Sequence, residues 1–270
     1  MADVAGGRTR SELALRVASA LVLIPFALFV VHQGGVWLAV GSALFAGVMG
    51  FEWCRMAAQG PVWLAVPVLA VINLAFFAAP AAWVCGALGV FALIFGALHG
   101  RGFALGAFGM MYAGGLPFAL QVLREGGPWD GQAAALILMA IVWASDSGAY
   151  FAGRGFGGPA LSTDSPNKTW SGALGAVICS VLSGAIAAGI EDADLTTWLL
   201  FGAAISVVAQ AGDLFESQIK RQFGVKDASG LVPGHGGVMD RVDGLGAVCV
   251  LAVAAFLAAP GLVESLGFQD

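Results

Sequence analysis

From Leu195 to Gly212 the chain reads LTTWLLFGAAISVVAQAG, without one ionisable side chain. Wound as a helix rising about 1.5 Å per residue, such a run crosses most of the ~30 Å hydrocarbon core of a bilayer. The character then changes within one residue. Asp213 opens DLFESQIKRQFGVKDASGLVPGHGGVMDRVD (213–243), dense in carboxylates and cations. An apolar run of this length predicts a membrane-spanning helix that delivers its polar continuation to the interface.

Outward from this stretch, the same ruler gives about nine apolar segments, roughly 13–31, 36–57, 62–78, 81–98, 102–123, 132–152, 171–190, 195–212 and 244–263. Composition agrees: 59% of the 270 residues are hydrophobic and 11% are charged, where a soluble domain carries about 25% charged residues. Mean hydropathy is +0.87. These values exclude a soluble, disordered or collagen-like chain and predict an all-α, polytopic integral membrane protein. The expected organisation is an N-terminal region, 1–130, of about five spans, and a C-terminal catalytic region, 131–270, of about four spans plus polar loops. The run from Leu13 to Val31 is longer than a signal-peptide core and lacks a small-residue cleavage site, so it reads as a span. Gly114, Gly115 and Pro117 predict a kink in the fifth segment. Cys54, Cys85, Cys179 and Cys249 lie scattered in apolar segments, with neither a disulfide framework nor a zinc spacing. A net charge of −5 gives no support to nucleic-acid binding.

Two polar islands interrupt the apolar pattern. One runs from Gly153 to Trp170, preceded by Asp146; the other runs from Asp213 to Asp243. Two spans separate them, so both lie on the same side of the membrane. On that side fall Arg8, Arg10, Arg16, Arg55, Arg101, Arg154, Lys168, Lys220, Arg221, Lys226 and Arg241, leaving only Arg124 opposite. The positive-inside rule makes the crowded side cytoplasmic. The expected topology has the N-terminus and both islands in the cytosol, and the C-terminus outside, as in a bacterial inner membrane.

If the helix continues past Asp213, then Asp213, Glu216, Ser217 and Lys220 share one face. Hard divalent cations such as Mg²⁺ take oxygen ligands, commonly carboxylates together with substrate phosphates. Lys226 and Asp227 follow, and Pro233-Gly234-His235-Gly236-Gly237 is a turn whose backbone N–H groups can approach an anion. Asp240 and Asp243 close the island three residues apart. In the first island Asp146 stands at the apolar boundary, where an ionisable residue is a functional candidate. Ser165, Lys168 and Thr169 suit oxyanion contacts or an ordinary helix cap. Gly153–Gly158 reads GRGFGG but follows no strand, so a dinucleotide fingerprint fails on context. Glu52, beside Trp53 and Arg55, reads as a paired or snorkelling interfacial residue.

Ser217-x-Ile219-Lys220-Arg221, Lys226-Asp227 and His235-Gly236-Gly237-x-x-Asp240-Arg241-x-Asp243 together resemble the signature of the phosphatidate cytidylyltransferases. The upstream DSGAY (146–150) and SPNKTW (165–170) segments are similar to that family as well. Two departures are visible: Ser171 stands where the family leads one to expect Glu or Gln, and 157–164 lacks a lysine. The resemblance implies transfer of CMP from CTP to phosphatidic acid, giving CDP-diacylglycerol and pyrophosphate. It also implies Mg²⁺, with a monovalent cation such as K⁺ as a companion ion, and a homodimer. On this reading Asp213, Asp240 and Asp243 are the expected metal ligands. Lys220, Arg221, Lys226 and Arg241 are the expected phosphate contacts, and Asp146, Ser165, Lys168, Thr169, Ser217, Asp227, His235, Gly236 and Gly237 the remaining substrate-side residues. The competing readings are a polyprenol kinase or related lipid nucleotidyltransferase, and a transporter. A transporter calls for ionisable residues in mid-membrane, whereas these clusters lie at one face.

Overall fold

The computed structural model describes residues 18–269 except 20, 58–59, 99–101, 163–164, 166 and 233–235. Among the described residues the regular elements are helices, with only isolated β-bridges besides. They are α1 (Leu21–Gln33), α2 (Gly35–Met56), α3 (Val62–Ala75), α4 (Ala81–Leu98), α5 (Phe103–Glu125), α6 (Gly131–Phe156), α7 (Trp170–Ile190), α8 (Leu195–Gln222), α9 (Met239–Ala258) and α10 (Pro260–Ser265). Seven of them, α2 and α4 to α9, are long and apolar enough to cross a membrane. The chain is an all-helical integral membrane protein.

The helices differ from the expected segments for physical reasons. The 14-residue α3 reaches only about 21 Å, short of a bilayer core. It carries Pro67 inside and unwinds after Ala75 through i→i+3 bonds at Phe76, Phe77 and Ala78. The described part of the first expected span is helical at 18–19 and in the short helix α1, and residues 13–17 and 20 lie outside the described residues. At the other extreme, α8 has 28 residues and extends about 42 Å. Its surplus over the hydrocarbon core carries Asp213 to Gln222 into the interface while still helical. The 26-residue α6 likewise absorbs Gly153 to Phe156 from the first polar island. The last span begins at Met239, inside the second island, and ends at Ala258. Pro260, which has no backbone N–H, starts the separate α10.

The chain divides into two compact units. The first comprises residues up to Gly115 together with Phe223–Arg241; the second comprises Leu116–Gln222 and Val242–Asp270. In the first, α2 and α3 pack closely because Gly47 and Gly50 let the α2 backbone approach Val66, Ala65 and Leu69. Trp53 is buried there, with Gly109 against its indole and the rings of Phe108, Tyr112 and Phe223 around it.

In the second unit α6, α7 and α8 are held by direct backbone approach. A Cβ on Gly175 would lie 2.7 Å from the Gly148 carbonyl oxygen, one on Gly184 2.6 Å from that of Trp198, and one on Gly202 2.7 Å from that of Ser180. Asp130 starts α6 by accepting from the N–H groups of Gln132 and Ala133, both at 3.0 Å. The far end is closed by an aromatic cluster of Trp198, Phe201, Phe256 and Phe268. Large apolar side chains elsewhere face outward, among them Leu182, Ile186 and Ile190 on α7. In a bilayer these are lipid contacts.

Candidate active site

Because α8 stays helical beyond the hydrocarbon, Asp213, Glu216, Ser217 and Lys220 do form one row along it. Their burial alternates along the row, with Ser217 partly exposed between two buried neighbours. Asp213 is partly exposed, Glu216 is 1% exposed and Lys220 9%. Lys220 Nζ donates to Glu216 Oε2 at 3.2 Å, one helical turn back.

A third carboxylate enters from α9. A Cβ on Gly212 would lie 2.9 Å from the backbone oxygen of Asp243, and one on Gly244 3.2 Å from that of Ala209. These two glycines bring the helices together beside Asp213. One oxygen each from Asp213, Glu216 and Asp243 then falls within 4.8 Å of the others. Asp243 Oδ1 also accepts from Gly244 N at 2.8 Å.

The first island reaches this cluster through Lys168, whose Nζ lies 2.5 Å from Asp213 Oδ2. Its placement is local. The connection between α6 and α7 folds back so that Leu161 N–H donates to the Lys168 carbonyl at 2.6 Å, and Lys168 N–H to that of Ser165 at 3.0 Å. Thr169 caps α7, accepting from Gly172 N–H at 3.1 Å. Ser171, the departure from the family pattern, fastens the connection by donating to the Gly157 carbonyl. The two islands therefore meet within the second unit, as carboxylates and lysines at the ends of apolar helices.

The remaining expected site residues divide between the units. In the second, Ser165 and Ser217 are half-buried, and Arg221 on α8 and Asp146 on α6 are exposed. In the first, Lys226, Asp227 and Arg241 are exposed, and Asp240 faces its own loop. Asp240 Oδ2 accepts from Gly237 N–H at 2.7 Å and from Ala228 N–H at 3.2 Å. Gly236 has φ +84°, and a Cβ there would stand 2.7 Å from Asp240 Oδ2. His235 lies outside the described residues.

Of the three expected ligands, Asp213 and Asp243 fall together among the described residues, and the sequence adds a third carboxylate beside them. Glu216 stands with Asp213 and Asp243, whereas Asp240 belongs to the other unit. The signal for Glu216 is the helical row itself, where it lies one turn from both Asp213 and Lys220. Glu52 is also more than an interfacial residue. It is fully buried, and accepts from the Ser229 hydroxyl at 2.6 Å and the N–H groups of Val238 and Met239 at 2.8 and 2.7 Å. The first-turn amides of the Gly-rich segment therefore bind the protein's own carboxylates.

Chemically, the second-unit cluster offers three carboxylates and two lysines. An all-oxygen donor set of this kind fits a hard divalent cation, and has no soft ligand to favour zinc or copper.

Residues 14–259 match the cytidylyltransferase family. The chain is similar to the phosphatidate cytidylyltransferase of Brucella abortus (strain 2308), with 36% identity over 96% of this chain and 99% of that protein. It is similar to the protein of the same name in Pseudomonas aeruginosa, 34% identical over 90% of this chain and 97% of that one. A further relative of that name, from Helicobacter pylori (strain J99), is 42% identical over 47% of this chain and 49% of its own. Matched by the family over residues 14–259 and nearly end to end by a relative 36% identical to it, the chain belongs to the cytidylyltransferase family.

Proposed function

We propose that this protein transfers the cytidylyl group of CTP to phosphatidic acid, forming CDP-diacylglycerol and pyrophosphate. One observation carries the reading: Lys168 reaches Asp213 beside Glu216 and Asp243, joining both polar islands where apolar helices end. A lipid phosphate held in the bilayer and a nucleotide from water can meet at such a place.

A phosphate oxygen of phosphatidic acid attacks the α-phosphorus of CTP, and the bond from that phosphorus to the bridging oxygen of pyrophosphate breaks. The attacking oxygen is already ionised near neutral pH, so no strong general base is needed. The protein's task is positioning and charge neutralisation. Lys168, Lys220 and Arg221 neutralise phosphate oxygens, and Thr169 and Ser165 set the loop that presents Lys168. Asp213, Glu216 and Asp243 would hold Mg²⁺; when bound, the ion neutralises charge on the triphosphate. Asp240, Gly236 and Gly237 shape the segment entering α9. Lys226, Arg241, Asp227 and His235 are further phosphate or nucleotide contacts, as are Ser217 and Asp146 in the second unit. A monovalent cation at the site, a homodimer, and a cytoplasmic N-terminus with an external C-terminus in a bacterial inner membrane complete the proposal. The last is supported by the distribution of lysine and arginine.

The test is pyrophosphate release by detergent-purified protein with CTP, Mg²⁺ and phosphatidic acid. Asp213→Asn, Glu216→Gln and Asp243→Asn should each lower turnover at least about 100-fold. Turnover within a few-fold of wild type in all three would remove the carboxylate cluster from the reaction. Faster reaction with ATP, or with a polyprenol acceptor, would overturn the substrate assignment.

A further inference from the structure

We infer that Glu52 is a positioning residue for this reaction, acting through the backbone that opens α9; the inference rests on the activity proposed above. Glu52 lies on α2, far in sequence from the Gly-rich segment, yet it is fully buried against that segment within the first unit. Its Oε1 accepts from Ser229 Oγ and Val238 N, and its Oε2 from Met239 N. The first N–H groups of a helix have no partner within the helix. Here a carboxyl group from another helix supplies the acceptors that a local cap ordinarily would, at the end where negative charge is favoured.

Gly237 records the same constraint from the opposite side. It is buried, and a Cβ there would sit 2.6 Å from Glu52 Oε1. The glycine leaves the space that the carboxyl group fills. Three residues on, Asp240 reaches back to Gly237 N–H. The start of α9 is thus clamped between two carboxyl groups, one local and one distant. This is the segment that carries Asp240 and Arg241 and leads the helix toward Asp243, and Glu52 is enclosed by protein against it. Its contribution to the reaction is to fix where α9 begins.

Glu52→Gln is nearly isosteric and preserves packing. It cannot preserve the hydrogen bonds, because an amide NH₂ must now face at least one N–H donor. Ser229→Ala removes one donor and leaves the two backbone contacts in place.

Two readouts are needed, on the full-length protein in detergent. The first is hydrogen exchange of peptides covering 229–241, which reads the clamp without any substrate. In Glu52→Gln we expect exchange there at least about tenfold faster, as loss of a buried acceptor implies, with peptides of α6 to α8 unchanged. The second is steady-state cytidylyl transfer. We expect kcat to fall about tenfold or more at a temperature where the variant is fully folded, with Ser229→Ala intermediate in both readouts. Unchanged exchange in 229–241 would overturn the inference. So would faster exchange throughout the molecule with normal turnover of the folded fraction, since that outcome assigns Glu52 to general stability. Wild-type protein that lacks cytidylyl transfer would strike the proposed activity, and the exchange arm would still report on the clamp.

Discussion

Replacing Lys168 by Met separates a catalytic role from a structural one. The substitution keeps most of the aliphatic stem and deletes the charge that sits 2.5 Å from Asp213. The side chains of this pair are 28% and 43% exposed, so water can solvate Asp213 once its partner is gone. Ion pairs this open contribute about 0.2–1 kcal/mol to stability. For a large domain each kcal/mol moves the thermal midpoint by about 2–4 °C, so the variant should melt within about 4 °C of wild type. Catalysis scales differently. A preorganised donor aimed at charge developing on phosphate is worth about 10²–10³ in kcat. The assay is thermal denaturation beside pyrophosphate release with CTP, Mg²⁺ and phosphatidic acid, for Lys168→Met and Lys168→Arg. The expected result is near-normal melting, a loss of at least about 100-fold in Lys168→Met and a smaller loss in Lys168→Arg. Full activity in Lys168→Met, or activity that falls only in proportion to unfolding, would refute the assignment.

Two further outcomes follow from local geometry. Gly236→Ala combines a left-handed backbone at φ +84° with a Cβ placed 2.7 Å from Asp240 Oδ2, whereas Gly224→Ala, at φ +72°, meets nothing within 4 Å. The left-handed conformation costs about 1–2 kcal/mol at either site, and only Gly236→Ala adds the clash, so it should open the 228–241 segment to protease more than Gly224→Ala does; equal sensitivity would contradict the packing described. Asp194 accepts from Thr197 N–H and Oγ1–H, both at 2.6 Å, and these bonds hold its carboxyl below the ordinary value. A depressed folded pKa means that its stabilisation is complete above the unfolded pKa of about 3.9 and is lost as pH falls through the folded value. Between pH 5 and pH 3, roughly that window, Asp194→Asn should therefore flatten the decline of the thermal midpoint, and an unchanged slope would dismiss the contribution.

What the sequence disclosed follows from the range of the forces involved. Apolar runs and helical spacing are local, so the spans, the common side of the two islands and the row from Asp213 to Lys220 were legible. Helix ends were less so, because α8 continues about 12 Å beyond the hydrocarbon core, where hydropathy has no say. Asp240 and Asp243 look alike in sequence, being one turn apart on the same helix. They are distinguished by a loop contact for one and the close approach at Gly212 for the other, which only tertiary structure displays. Glu52 was beyond reach for the same reason. Its partners, Ser229 and Val238, lie 177 and 186 residues away, and no local signal marks a carboxyl group as the cap of a distant helix.

The glycine contacts among α6, α7 and α8 bear on how this protein should behave outside its native membrane. Between helices already in lipid, apolar side chains gain little from burial, since the acyl chains are equally apolar. A joint made of backbone against backbone depends instead on fit, and fit is indifferent to whether the surrounding solvent is phospholipid, detergent or amphipol. Extraction should therefore leave this three-helix block intact in media of quite different chemistry. It also makes the block intolerant of growth. A single methyl group at Gly148 or Gly175 acts as a wedge between two rods, and its displacement is transmitted along α7 to the end that presents Lys168.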